Sequence, residues 1–231
     1  MLYKETFKVY EGVLDNASIA ALMKFANRGV IDRMKGFVKQ GKESSVLVGQ
    51  DSKGNPVAVK VYAIEASNFK RMAPYLEGDQ RFSRMRKDKR TIVYAWCSKE
   101  YKNLMKATSA GVLCPRPIDA LNNVLIMEFL GEGYTPAPRL MDVELDDPET
   151  VMEKIIVNMK KLYGAKLVHG DLSAYNILYW NSEPYIIDFS QGVLLSHPMA
   201  EDFLKRDVRN VLKFFGAQDM EEETMKRIRG K

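Results

Sequence analysis

The apolar positions of this chain change their period as it is read from its start. Over about Asn16 to Arg28, Ile19, Leu22, Met23 and Ala26 recur at three- and four-residue steps behind the pair Asp15-Asn16. That spacing predicts an amphipathic helix with a polar N-cap. The stretch SSVLVGQDSKGNPVAVKVY then alternates β-branched residues on both sides of a Gly, Asn and Pro cluster, which predicts two strands joined at DSKGNP. From Ala63 to Arg90 the pattern lapses into a polar, arginine-rich connection with no convincing period; a loop of that length inside a compact domain is functional or disordered.

Periodicity returns in IVYAWCSKEYKNLMKATSAG, where Val93, Trp96 and Leu104 stand at helical intervals and Gly111 supplies a stop. NNVLIMEFLGEG reads as a short apolar strand entering a glycine turn, and ETVMEKIIVNMKKLYGAK as an amphipathic helix with Ile155, Ile156, Met159 and Leu162 inward. A strand, PYIIDFS, and a last helix, AEDFLKRDVRNVLKFFGA, follow. Strands with helices in the first half, and helices with a polar motif in the second, predict an α+β fold of two lobes joined near Glu128 to Gly133.

Composition adds bounds. A chain of 231 residues with 46% hydrophobic content can build a sizeable core. No apolar run approaches the roughly 20 residues needed to span a bilayer, and MLYKETFKVYEG lacks the layout of a signal peptide, so a cytoplasmic protein without a membrane partner is expected. Cys97 and Cys114 have no metal-ligand spacing and only two histidines to help them; both read as ordinary free thiols, and zinc is not expected. The net charge of +5 is uneven, because RFSRMRKDKR (Arg81 to Arg90) sets six basic residues against one acid. Such a run can hold RNA phosphates; it reads equally well as a solvated loop.

The chemistry concentrates in LVHGDLSAYNILYW and YIIDFSQ. A carboxamide, Asn176, on a loop and a carboxylate, Asp188, at the end of a following apolar strand offer oxygen ligands to a hard cation such as Mg²⁺. That leaves Asp171 free to accept a proton from an attacking hydroxyl or to orient a water, the set that phosphoryl transfer needs. Lys60 lies in an apolar run where an unpaired ammonium is costly, and Glu100, which breaks the pattern of its helix from a central position, is its best acidic partner; alone, the lysine also reads as a snorkelling surface residue. VKQGKESSV could fold over phosphates through backbone N–H groups around Gly41, the charge of Lys42 and the hydroxyl of Ser44 or Ser45, although one glycine before two serines is common in turns.

In order, GKESSV, AVKVY, KEYKNL, IMEFLG, HGDLSAYNIL and IIDFSQ resemble the protein-kinase-like fold and, more narrowly, the RIO family of atypical serine kinases, from about Tyr10 to Phe215. HGDLSAYNIL with SHPMAEDFLKRDVRN is similar to the RIO-one branch, here of archaeal size with no long tails. The resemblance implies a small β-sheet lobe with helix C and an extra N-terminal helix, then a truncated, mostly helical C-terminal lobe. Residues 1–127 would form the N-terminal helical segment and nucleotide-binding lobe with a basic insertion at about 63–90, residues 128–133 the hinge, and residues 134–231 the catalytic lobe.

The resemblance also implies ATP with Mg²⁺ as cofactors, Mn²⁺ being the alternative metal. Lys60 would contact the phosphates and pair with Glu100, while Gly41, Lys42, Ser44 and Ser45 cover them. Met127 would lie at the back of the adenine pocket, with Glu128 and Leu130 supplying the hinge carbonyl and amide. Asp171 would be the base, Asn176 and Asp188 the metal ligands, and His169 a structural support. Asp188 is also implied as a phosphate acceptor, giving an acyl-phosphate during ATP hydrolysis, a role a carboxylate nucleophile can fill.

By family, the expected function is kinase or ATPase action in maturing the small ribosomal subunit, with the precursor or its rRNA read by Arg81 to Arg90. There are departures. The phosphate loop lacks the three glycines of ordinary protein kinases and is closer to the RIO-two branch, without that branch's winged-helix domain, and DFS replaces DFG. With 43 residues after Asp188, an activation segment and the usual peptide-docking helices are not expected. Asp207 would brace the catalytic loop from below, or be a helix-surface acid. Two other readings stay open: a small-molecule kinase of the aminoglycoside or choline type, which generally carries a larger acid-rich C-terminal lobe, and a nucleotide-gated ribosome- or RNA-binding module.

Overall fold

The computed structural model describes residues 14–65, 69–82, 86 and 88–230; the N-terminal stretch read for a leader, and Ser83–Met85 and Lys87 of the basic run, lie outside them. The chain divides into two compact units. One takes residues up to 73, 84–101 and 116–136; the other takes 74–83, 102–115 and 137 onward.

In the first unit, helix α1 (Asn16–Asn27) starts where expected. Asp15 caps it by accepting from the Ser18 amide at 2.8 Å and from the Ser18 hydroxyl at 2.9 Å, which satisfies a donor that the helix leaves unpaired. Its buried side is Ala21, Leu22, Phe25 and Ala26, with Ile19 and Met23 half-covered at the margin, so the apolar stripe is rotated from the expected one to include Phe25. That stripe packs on an antiparallel sheet of β1 (Arg33–Gln40), β2 (Ser44–Gln50), β3 (Pro56–Tyr62), β4 (Pro117–Leu121) and β5 (Val124–Glu128), in the spatial order β1-β2-β3-β5-β4. The turn between β2 and β3 is held by Asp51, whose side chain accepts the amides of Lys53 and Asn55, both at 2.8 Å, a local bond that short acidic side chains favour in turns.

Leu47, Val57, Val59, Val61, Val124 and Ile126 form one core with α1. Because side chains alternate along a strand, Lys60 and Tyr62 project from the other face, which receives helix α3 (Lys89–Ser109). The expected featureless connection before that helix holds a short helix, α2 (Phe69–Leu76), and a single 3₁₀ turn at Gln80–Phe82. Eight residues interrupted by Pro74 are too few to carry a visible period.

In the second unit, α4 (Pro148–Gly164) begins with Asp147 accepting the Thr150 amide at 3.0 Å and buries Ile155, Ile156, Met159 and Leu162, as the spacing predicts. A hairpin of β6 (Ile177–Trp180) and β7 (Glu183–Ile186) turns on Asn181 and Ser182, both left-handed at φ 51° and 60°, the conformation that suits a two-residue hairpin to the twist of its strands. Helix α5 (Ala200–Phe215) is not the last; α6 (Glu221–Arg229) follows it. That helix places three acids in its first turn and Lys226, Arg227 and Arg229 in its last, complementing the helix dipole, and buries Thr224, Met225 and Ile228.

Candidate active site

In the first unit, strand register arranges the candidate residues. Lys60 pairs across β2 with Val46 and across β5 with Leu125, and Tyr62 pairs with Ser44. Directly opposed residues share a face, so Ser44 lies on the Lys60 side while Ser45, opposite Val61, lies on the core side. Met127, opposite Ala58, is also on the Lys60 side. Gly41 and Lys42 are exposed in the β1–β2 turn, closed by the Gly41 amide donating to the Ser44 carbonyl at 3.0 Å.

Lys60 is 4% exposed and Glu100 fully buried, and the ammonium donates to Glu100 Oε1 at 2.8 Å. Burying both charges is tolerable only because each is compensated. The other carboxylate oxygen, Oε2, accepts from the Tyr62 hydroxyl, and the Lys60 ammonium stands 5.1 Å from the Tyr62 ring centroid. Tyr62, two residues beyond Lys60 on the same face, was not singled out in the sequence. One turn earlier on α3, burial first and then the Glu100 charge push the Cys97 thiol well above its ordinary range, so this sulfur is not a thiolate nucleophile. Further along, Glu128 is tied by its own amide to the Arg116 carbonyl at 2.8 Å and by its carboxylate to the Arg116 amide at 3.1 Å, while Leu130 is buried.

In the second unit, the candidate residues are built on the β6–β7 hairpin. Its register sets Ile177 against Ile186, and the next pair outward is joined by the Ile187 amide donating to the Asn176 carbonyl at 2.9 Å. Asn176 and Asp188 are thereby held at one end of the hairpin. Asp188 is left-handed at φ 62°, ψ 67°, an uncommon state for a residue other than glycine, and accepts from the Ser190 hydroxyl at 2.7 Å.

Asp171 lies in the preceding loop. Asn176 Nδ2 donates to the Asp171 carbonyl at 2.8 Å, and Gln191 Nε2 donates to Asp171 Oδ2 at 2.9 Å. Burial first, then the neighbouring Asp188 charge, raise the Asp171 carboxyl above its ordinary value; Arg206, Asn176 and Gln191 oppose this. Asp207 is no surface acid. It is 1% exposed, and its two oxygens accept the Gly170 amide at 2.7 Å and the Leu172 amide at 2.8 Å. Burial pushes it up to about 7 against the pull of those amides and of Arg206. Arg206 also donates to the Gly170 carbonyl and, at 3.2 Å, to the Tyr75 hydroxyl. His169 is 2% exposed. Its Nδ1 accepts the Asp171 amide at 3.3 Å, which assigns the proton to Nε2, 3.0 Å from the Ile187 carbonyl; the ring packs edge-on against Phe189.

The donor set fits Mg²⁺. Asn176 uses its nitrogen on Asp171 and keeps its amide oxygen to ligate a cation. With the Asp188 carboxylate this makes two hard oxygen ligands, few enough for an ion that retains several waters. Among the described residues there is no group of three or more His, Cys, Asp or Glu suited to hold a metal, and no helix is long and apolar enough to cross a membrane.

In one unit a buried Lys–Glu pair between a sheet strand and a helix, and in the other an Asp-then-Asn loop followed by a second Asp, are the residue sets of a protein-kinase-like phosphotransferase. Comparison with known proteins narrows the class. Residues 45–228 match the model of the RIO domain, in its RIO1 family. The RIO-type serine/threonine-protein kinase Rio1 of Haloferax volcanii is 44% identical over 214 residues, covering 93% of this chain and 74% of that protein, and the Methanocaldococcus jannaschii protein of the same name is 38% identical over 92% and 73%. The crystal structure of the Rio2 kinase from Chaetomium thermophilum superposes with a TM-score of 0.69 at 24% identity, over 87% of this chain and 62% of that one; another, of its ADP/Mg²⁺–phosphoaspartate complex, does so at 0.69 and 21% identity over 93% and 67%. The chain belongs to the RIO family, in its RIO1 branch, and is an atypical serine/threonine-protein kinase with the two-lobed α+β kinase fold.

Proposed function

We propose that this kinase transfers the terminal phosphoryl group of ATP, and that the second unit carries the reacting groups. Asp171 accepts the proton of the attacking hydroxyl, or of a water when the outcome is hydrolysis. Its position is over-determined: Asp207 holds the amides on either side, and Gln191 and Asn176 hold its own oxygens. Asn176 and Asp188 would hold Mg²⁺, which when bound neutralises phosphate charge. Mn²⁺, with similar oxygen preference, is the alternative ion.

In the first unit, Lys60 steadied by Glu100 supplies a fixed positive charge for the phosphates. Gly41, Lys42 and Ser44 form the covering turn, and Met127, Glu128 and Leu130 take the adenine. The Rio2 complex carries a phosphoaspartate by name; in this chain, transfer of the terminal phosphoryl group to Asp188 with ADP leaving, followed by hydrolysis of the acyl-phosphate, would give ATPase activity. We place the protein in the cytoplasm, acting on the precursor of the small ribosomal subunit, with the basic run beyond Arg81, whose guanidinium is bound to Asp79 and Asn103, as its contact to RNA phosphates.

The observation that carries this reading is the double clamp of Asp207 on the loop of Asp171, because it fixes a half-buried carboxylate of raised pKa beside two metal-suited oxygens. The test is turnover of γ-labelled ATP with Mg²⁺, with and without small ribosomal subunits, for the wild type, Asp171→Ala and Asp188→Ala. Turnover that both substitutions abolish supports the assignment, and hydroxylamine-labile label identifies an aspartyl-phosphate. Variants that match wild type overturn it.

A further inference from the structure

Arg81, the first residue of the basic run, is not directed to an outside partner. Its guanidinium binds Asp79 through Nε at 2.9 Å and Nη2 at 2.6 Å, and its Nη1 donates to Asn103 Oδ1 at 2.9 Å. Asp79 is 4% exposed and Asn103 fully buried. Asn103 then spends both hydrogens of its amide on backbone carbonyls, those of Phe189 at 2.9 Å and Gly192 at 2.8 Å. Those carbonyls bracket the single turn that follows Asp188. The arginine must meet the amide oxygen and the carbonyls must meet the nitrogen, so the orientation of Asn103 is settled by its three partners. The fit is close, since a Cβ added at Gly192 would come within 2.8 Å of Asn103 Nδ2.

We infer that Asp79, Arg81 and Asn103 are positioning residues for the reaction: a buried chain that holds the Phe189–Gly192 turn and so keeps Asp188 in its left-handed, metal-binding pose. Two neighbours extend the effect. Ser190, inside the turn, donates to Asp188, and Gln191, also inside it, donates to Asp171, so one clamped turn sets the orientation of both carboxylates. The segment 79–81 is thus part of the support of the site, even though it is far from it in sequence. Outer partners that orient metal ligands typically govern metal affinity by 10- to 100-fold.

This inference rests on the reading of Asp188 as a metal ligand, and the experiment separates the two. A fluorescent ADP analogue is titrated against the full chain across Mg²⁺ concentrations, giving the Mg²⁺ level that half-restores tight binding and the metal-free affinity. Asn103→Asp presents a carboxylate to two carbonyls, and Gly192→Ala presses a methyl on the same contact. Each is expected to raise the half-restoring Mg²⁺ level by about 10-fold or more while leaving metal-free affinity within about twofold, with faster amide hydrogen exchange over 188–192. Arg81→Lys, which keeps a cation near Asp79 but loses the fork to Asn103, gives a smaller shift of the same sign and guards against a failure of Asn103→Asp to fold. Asp188→Asn is the control. If Asp188→Asn shifts the Mg²⁺ level and the folded relay variants do not, the positioning role is wrong; if Asp188→Asn itself has no effect, the metal assignment fails first.

Discussion

Asp207 accepts the amide hydrogen of Gly170 at 2.7 Å with one oxygen and reaches past Asp171 to that of Leu172 with the other. A buried acid on a helix thereby fixes the backbone on both sides of the proposed base. The arrangement has an electrostatic cost, because burial disfavours the charged form that makes both bonds.

Stability is expected to depend on Asp207 in a definite direction. Its folded carboxyl titrates at about 7 against 3.8 ordinarily, and that of Asp171 is also raised. The folded protein therefore holds these protons more tightly than the unfolded chain. The contribution of these two groups to stability is fullest below the ordinary carboxylate range and declines as pH rises toward 7, by up to about 1.4 kcal/mol per pH unit for one proton. Asp207→Asn should flatten this slope between pH 4.5 and 7, while lowering stability by about 1–3 kcal/mol through the amide it no longer satisfies. Urea midpoints across that range check both; an unchanged slope refutes the assignment.

Asp171→Asn should lower kcat by about 10²- to 10⁴-fold, the usual worth of a positioned proton acceptor, with nucleotide binding retained. Because burial and Asp188 raise the Asp171 carboxyl, wild-type kcat should fall on the acid side at a pH above the 3.8 of an ordinary aspartate. A pH–rate profile whose acid limb persists unchanged in the variant would assign that limb to another group.

The buried pair in the first unit predicts non-additive energetics. Lys60→Met removes the 2.8 Å partner of a fully buried Glu100 and should cost about 3–5 kcal/mol. Lys60→Met with Glu100→Leu should cost less than the sum of the single changes, with a coupling of about 0.5–3 kcal/mol, and should remain inactive. Denaturant melts of the four proteins supply the cycle; simple additivity would mean that the two charges do not support one another.

Gly170 combines φ +78° with a Cβ position only 2.8 Å from the Gln191 carbonyl. Gly170→Ala therefore meets both backbone strain and a fixed atom, at a cost of about 1–3 kcal/mol from the backbone alone. Since Arg206 and Asp207 also anchor this residue, kcat should fall with stability. A variant that melts and turns over like wild type would show that the loop relaxes freely.

Where the chain carries a strong period, its structure was legible: α1 with its Asp15 cap, the strands around Asp51, and the inward face of α4 all follow from spacing. Strand β1, RMKGFVKQ, was hidden because it is a polar edge strand with register shifts between Met34 and Gly36 and between Phe37 and Lys39, and edges are kept charged to discourage pairing with other chains. Strand β4 opens on Pro117, tolerated at an edge, and α6 shows only Met225 and Ile228 as apolar guides. At the site, Asp171, Asn176 and Asp188 stood out by type and spacing. Tyr62, Gln191, Arg206 and Asn103 did not, because their roles arise from partners that folding alone supplies; Asn103 meets Phe189 across 86 positions.

The two cysteines divide between the units, Cys97 beside the Lys60–Glu100 pair and Cys114 within hydrogen-bonding reach of Thr108 at 3.5 Å. Both are buried, so a thiol-reactive dye can reach either one only during a transient opening of its surroundings. Each unit thus carries one built-in clock of its own breathing, and labelling rates taken with and without nucleotide would time the two separately.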